Sequence, residues 1–328
     1  MKKYYNDKKI IHIFFLDIIL NYKRKKIKLE FYYILLLFLI LISLNKYKKN
    51  KIKVCLCTVG KLENRYILEF VDHYKKYHID KIILYDNNDI NGEKFEDLLS
   101  DYLKLNFIEI INHRGETKIQ IKMFQDCYKN NYKKYDWLLF YDIDEFIHLK
   151  KFHSIKDFLI QSKFNKCQSI YLNWIIHTDN NLIFYDNRLL SRRFTETFKR
   201  ANFCIGKTII RGNIENLEFH SAHSLDFNIG RCNGFGKIIK LKINRYCKVP
   251  DYKYFYIDHY YSKSTEEFIN KINRGSGTRG QNIKKKYGRI QNYFIFNKIT
   301  EEKINLIIEK TYLNISLLMN NSNNKLEC

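Results

Sequence analysis

Three carboxylates, Asp142, Asp144 and Glu145, follow directly on the apolar run Trp137–Tyr141 in the stretch YDWLLFYDIDEFIHL. A carboxylate is costly to bury without a partner, so this abrupt change from apolar to acidic implies a neutralising group. Residues i and i+2 at the end of a strand point to the same side, so Asp142 and Asp144 are expected to present their carboxylates together while Ile143 faces the core. Hard divalent cations take such oxygen ligands, and Mg2+ in particular is usually held by one or two carboxylates plus substrate phosphates. The expected partner is therefore a metal ion carrying a diphosphate. A DxD pair alone is weak evidence, since two acids at a strand exit are more often a solvated edge.

The elements around this pair strengthen the reading. Strand-like segments are expected at Lys53–Thr58, Lys81–Asp86, Asn106–Ile111 and Trp137–Asp142. Between the first two, Ile67, Phe70, Val71 and Tyr74 follow the i, i+3, i+4, i+7 spacing of a helix, and Met123, Phe124, Cys127 and Tyr128 mark another before the fourth strand. Strands separated by helices imply βαβ units, hence an α/β fold with a mostly parallel sheet flanked by helices. Ligands bind such sheets at the carboxyl ends of the strands. Here those ends carry Thr58, Asp86 with Asn87, His113, and Asp142 with Asp144. The Gly-rich patches Gly234–Gly236 and Arg274–Gly280 do not follow a strand as GxGxxG or GxxxxGKS, which argues against a dinucleotide or P-loop site.

Composition excludes a disordered chain, with 45% apolar residues over 328. The formal charge of +23 points toward nucleic acid or an anionic membrane. Richness in Lys, Asn, Ile and Tyr with a single proline, Pro250, discounts that charge as compositional bias, and the lysines are scattered. The eight cysteines show no CxxC pair or zinc spacing and are expected to be buried thiols. Cys55 and Cys57, two apart on a strand, share a face and do not bridge to each other.

From Phe31 to Leu44 the chain has no charge and is flanked by lysines on both sides. This predicts a single-pass membrane anchor at about residues 29–44, uncleaved, in a Golgi- or ER-type or equivalent membrane, with orientation unset by the balanced flanks. The predicted organisation is a basic anchor region 1–50, an enzyme domain 51–298, and a C-terminal helix and tail 299–328.

Several further stretches carry a resemblance: Lys61–Asp89, Asp136–Ile147, Asn173–Trp174, Arg192–Phe194, Lys207–Arg211 and Asp258–Gly275. In type, order and spacing they resemble glycosyltransferase family 92 and its family 2-like relatives, which have the GT-A fold. The resemblance spans about Val54 to Gly275. It implies a hexosyltransferase-like enzyme that moves a sugar from a nucleotide-diphosphate donor to a glycan or related acceptor, with Mn2+ or Mg2+ and with inversion.

The resemblance further implies that Asp142 and Asp144 hold the metal against the diphosphate, that Thr58 and Asp86 contact the nucleoside, and that His259 is the third metal ligand. His220 and His223 compete for that last role. Arg193, Lys207 and Arg211, with Arg192, are candidates to neutralise the leaving diphosphate, against the reading of a solvated charged face. The general base is unassigned, with Asp179, Asp226 and Glu145 as candidates. Glu267 lies three residues after Ser264 and is expected to close a capping box. His177 stands where relatives have a glycine. The competing readings are a membrane-tethered nucleic-acid-binding protein, which lacks any recognisable module, and an inactive scaffold of the same fold.

Overall fold

The computed structural model describes residues 32–43, 52–198, 205–221, 230–239, 252–275, 277 and 283–311. The chain divides into two units, Met1–Lys51 and Ile52–Cys328. In the first, residues 32–43 form a helix whose large apolar side chains are exposed. At 1.5 Å per residue it is roughly 18 Å long, against about 30 Å of membrane hydrocarbon. No helix among the described residues is long and apolar enough to cross a membrane, which overturns the predicted single-pass anchor.

Among the described residues the second unit is built on a sheet of nine strands: β1 (Val54–Gly60), β2 (Lys81–Asp86), β3 (Ile108–Asn112), β4 (Trp137–Phe140), β5 (Glu145–Leu149), β6 (Ser169–Ile176), β7 (Gly206–Arg211), β8 (Arg231–Asn233) and β9 (Phe255–His259). Their order is β3-β2-β1-β4-β7-β6-β9-β5, with β8 on β6. The first four are parallel, as the alternation of strands and helices predicts. Beyond them β7 runs antiparallel to both β4 and β6, and β5 antiparallel to β9, so the sheet is mixed.

Side chains of β1 alternate between two cores. Val54 and Leu56 join the core under the helix Asn64–Lys76, which buries Tyr66, Ile67, Phe70, Val71 and Tyr74. Cys55 and Cys57 join the opposite core under the helix Gln120–Asn131, which buries Met123, Phe124, Cys127 and Tyr128. Both helices follow the apolar spacing of the sequence because each has one face to bury. A third cluster packs Phe268, Ile269 and Ile272 of the helix Thr265–Arg274 against Ile290, Tyr293 and Ile307 of the two helices that follow.

Four cysteines depart from the expectation of buried thiols, while Cys55 meets it. Cys57 bridges to Cys127, stapling β1 to the helix above it, and Cys167 bridges to Cys232. Cys55 is a buried free thiol whose pKa burial pushes far up. Spacing along the chain carried no sign of these pairs, which span 70 and 65 residues.

Candidate active site

The strand carrying the apolar run ends at Phe140, so Asp142 and Asp144 lie in a turn between β4 and β5 and not on a strand end. The turn is braced reciprocally. The Asp142 amide donates to Glu145 Oε2 at 3.1 Å and the Glu145 amide to the Asp142 carbonyl at 3.0 Å. A turn separates the directions of i and i+2, and the two aspartates find different partners. Asp142 accepts from Gln120 Nε2 at 2.7 Å and Lys207 Nζ at 2.9 Å. Asp144 accepts from Lys271 Nζ at 2.7 Å, with His259 Nε2 at 3.7 Å from its other oxygen.

Glu145 opens β5, where the antiparallel register places it directly opposite His259 at the end of β9. Cross-strand partners share a face, so carboxylate and imidazole meet. Asp144, Glu145 and His259 each offer a ligand atom within 4.8 Å of the others, and all three are buried. Trp174 of β6 closes the back of the site with its ring centroid 4.2 Å from that of His259.

Charge in this volume is tightly compensated. Lys207 is fully buried between Asp142 and Glu145, 3.4 Å from the latter. Burial works against its ammonium, but Asp142 and Glu145 outweigh that and raise its pKa. Glu145 is pushed well above the usual carboxylate range by burial, with Asp142 and Asp144 adding to it against Lys207. Burial would also raise Asp144, yet Lys271 and His259 prevail and hold it well below its ordinary value. Burial lowers the His259 imidazole despite Asp144.

These residues fit a divalent cation. His259 Nδ1 and Glu145 Oε1 are buried with no hydrogen-bond partner, a costly arrangement that a ligand would relieve. A donor set of two carboxylates and one imidazole suits Mn2+ better than Mg2+, because nitrogen ligands favour transition metals. The cluster differs from the expected trio in one member, with Glu145 beside Asp144 and His259 where Asp142 was expected.

In the sheet β1 lies between β4 and β2. Asp86 closes β2, level with Gly60 of β1 and Asn112 of β3. Its carboxylate accepts from the Asn88 amide at 2.9 Å and from Arg114 Nε at 2.8 Å, and Arg114 also donates to the Ile90 and Glu93 carbonyls. The His113 ring lies against Tyr85, with Nδ1 2.7 Å from Glu116. Thr58 sits inside β1, two residues before its end, fully buried with an unpartnered hydroxyl.

Other candidates are drawn elsewhere. Arg193 forms a bidentate ion pair with Glu267 at 2.7 and 3.0 Å, both side chains 1% exposed. Glu267 also completes the capping box with Ser264, so this arginine anchors a helix start and is not free for a diphosphate. Arg211 pairs with Trp137 at the opposite end of β4 from Asp142, donates to the Cys167 and Phe164 carbonyls and covers the Trp137 ring. Arg192 and His220 are exposed. Asp179 is committed to Lys303 and to the Tyr293 hydroxyl, each at 2.6 Å, which removes it as a base. His177 bridges the Phe194 carbonyl at 2.7 Å and Asp258 at 2.8 Å. Asp226 and His223 lie outside the described residues.

Sequence reasoning missed Gln120, Arg114 and Lys271. Lys271 falls within a stretch that carried the family resemblance, but its partner is 127 residues away and no local pattern marks the pair.

No curated protein matches the chain. Among solved structures it is similar to S. aureus TarS residues 1–349 in complex with UDP-GlcNAc, at 13% identity and TM-score 0.36, covering 84% of this chain and 76% of that one. It is also similar to the mannosyltransferase PcManGT from Pyrobaculum calidifontis in complex with GDP-Man and Mn2+, at 10% identity and TM-score 0.30, covering 45% and 47%. At these scores the likeness carries no functional weight. The sequence profile of glycosyltransferase family 92, in contrast, matches residues 50–294, which include the whole carboxylate turn, Lys207, His259 and Lys271. The chain belongs to glycosyltransferase family 92 and is a glycosyltransferase.

Proposed function

We propose that this enzyme transfers a sugar from a nucleotide-diphosphate donor to a glycan or related acceptor, using a divalent cation held by Asp144 and His259 with Glu145 beside them. The observation that carries this reading is the convergence of those three buried side chains within 4.8 Å at the carboxyl end of the sheet, two of them with an unpartnered polar atom. When bound, the cation would supply positive charge to the diphosphate, lowering the cost of the charge that leaves with it.

The chain's own residues do the positioning. Gln120 and Lys207 fix Asp142 at the mouth of the site, where its side chain is 29% exposed, against 6% for Asp144. Asp142 therefore faces the donor side, and Asp144 the interior. Asp86 at the end of β2, restrained by Arg114, and Thr58 within β1 are the proposed nucleoside contacts. The proposed course is inversion, which the family resemblance supports and which the anomeric configuration of the product, read by NMR, would test.

Incubating the full chain with a panel of nucleotide-sugars and Mn2+, and scoring release of the nucleoside diphosphate, tests the central reading. Turnover should vanish in EDTA and in Asp144→Asn with the circular dichroism spectrum retained. Undiminished turnover in either case contradicts metal dependence.

A further inference from the structure

Lys271 and a divalent cation have claims on the same carboxylate. The Lys271 ammonium lies 2.7 Å from Asp144 Oδ2 and 3.0 Å from the Tyr261 carbonyl, above the Tyr261 ring. Around it, Lys207 serves Asp142 and Glu145, while Lys263 and Arg274 both pair with Glu63. Asp142, Asp144, Glu145 and Glu63 thus face Lys207, Lys263, Lys271 and Arg274, with Arg289 beside them, so the group carries no excess of negative charge. A cation entering alone would add positive charge to a largely buried volume that has no spare carboxylate to compensate it, which is strongly unfavourable. A diphosphate entering with it brings the missing negative charge.

The two lysines that touch the DxD aspartates are not equivalent. Lys207 is completely buried and held between two carboxylates, whereas the Lys271 side chain is 14% exposed and meets a single carboxylate and a carbonyl. An ammonium on a flexible four-carbon stem can exchange one anionic partner for another nearby at small cost. Arg289 is anchored to the Lys271 and Gly275 carbonyls, so the backbone beneath that stem is fixed while the side chain stays adjustable.

We propose that Lys271 is the exchangeable counter-ion of this site: it releases Asp144 when a divalent cation enters together with a diphosphate, and then pairs with the diphosphate. The proposal rests on the reading that Asp144 and His259 hold the metal. It predicts that metal and diphosphate bind with strong mutual dependence, and that Lys271 weakens the first while strengthening the second.

The test measures Mn2+ binding to the full chain by calorimetry, alone and with UDP, inorganic pyrophosphate or UMP. In the wild type, UDP and pyrophosphate should each tighten Mn2+ binding at least tenfold and UMP should not. In Lys271→Met, Mn2+ alone should bind at least tenfold tighter, while UDP and pyrophosphate at saturating Mn2+ bind at least tenfold weaker. Lys271→Arg, which keeps the charge, should retain wild-type diphosphate affinity. Equal effects of UDP and UMP in the wild type would overturn the proposal without any variant, as would Mn2+ affinity unchanged or weakened in a folded Lys271→Met. Absence of Mn2+ binding under every condition would overturn the metal reading as well. Intact binding indifferent to Lys271 overturns this proposal alone.

Discussion

Glu145 and His259 stand opposite each other across the antiparallel β5–β9 pair, which brings a carboxylate and an imidazole onto one face beside Asp144. A nitrogen ligand in an otherwise oxygen-lined site should bias it toward Mn2+. His259→Gln keeps most of the volume packed against Trp174 and removes the imidazole. It should cost tenfold or more in Mn2+ affinity while changing Mg2+ affinity far less, so that the preference between the metals collapses. Comparing the two affinities by calorimetry checks this. An unchanged preference would make His259 a packing residue.

The Arg193–Glu267 pair is assigned to the fold. Both side chains are 1% exposed and doubly bonded, so removing one partner leaves a buried charge. Arg193→Met should destabilise the protein by about 3–5 kcal/mol. Urea denaturation measures this. At a temperature where the variant remains folded, its KM for the donor should match the wild type, whereas a direct contact with diphosphate would raise it.

His73 supplies a pH dependence separate from the site. Its Nε2 faces the Ile147 carbonyl at 2.8 Å, and burial lowers its pKa to about 4, with the carbonyl bond opposing. The unfolded chain therefore binds the extra proton first, and stability is lost as pH falls from about 6.5 toward 4. Linkage gives about 2 kcal/mol lost between pH 7 and pH 5 from this group. His73→Gln, able to donate the same hydrogen bond, should show a pH 7 to pH 5 loss smaller by that amount. An identical pH dependence in both proteins contradicts the assignment.

Much of this architecture was legible because it is local. The helix faces of Ile67–Tyr74 and Met123–Tyr128 follow from apolar spacing, and the Ser264–Glu267 capping box from two residue types three apart. The carboxylate turn was legible in composition but not in geometry. A strand two residues shorter than expected put Asp142 and Asp144 into a turn, and Glu145 took the place beside His259. Pairings over long separations leave no periodic trace. Arg193 with Glu267, Asp179 with Lys303 and Cys57 with Cys127 are set by tertiary packing, so four residues read as chemistry or as free thiols (Arg193, Asp179, Cys57 and Cys127) are structural. Scarcity made the arginines conspicuous, but scarcity does not say which anion each one meets.

The Cys57–Cys127 bridge closes a loop across 70 positions. Chain entropy alone gives about 4 kcal/mol for a loop of that size. Cys127→Ala should lower stability by an amount of that order and make it insensitive to added reductant at this site. Equal stability of variant and wild type under oxidising conditions would show that the bridge does not hold the native state.

The most direct test of the central claim uses Trp174, whose ring lies 4.2 Å from that of His259. A paramagnetic Mn2+ ion bound by Asp144, Glu145 and His259 would sit against this indole and quench its emission. Titrating the full chain with Mn2+ in the presence of UDP should give a saturable loss of fluorescence, absent in Trp174→Phe and in Asp144→Asn. Saturable quenching that persists unchanged in Asp144→Asn, or no quenching in the wild type where calorimetry shows Mn2+ bound, would place the metal elsewhere and contradict the account.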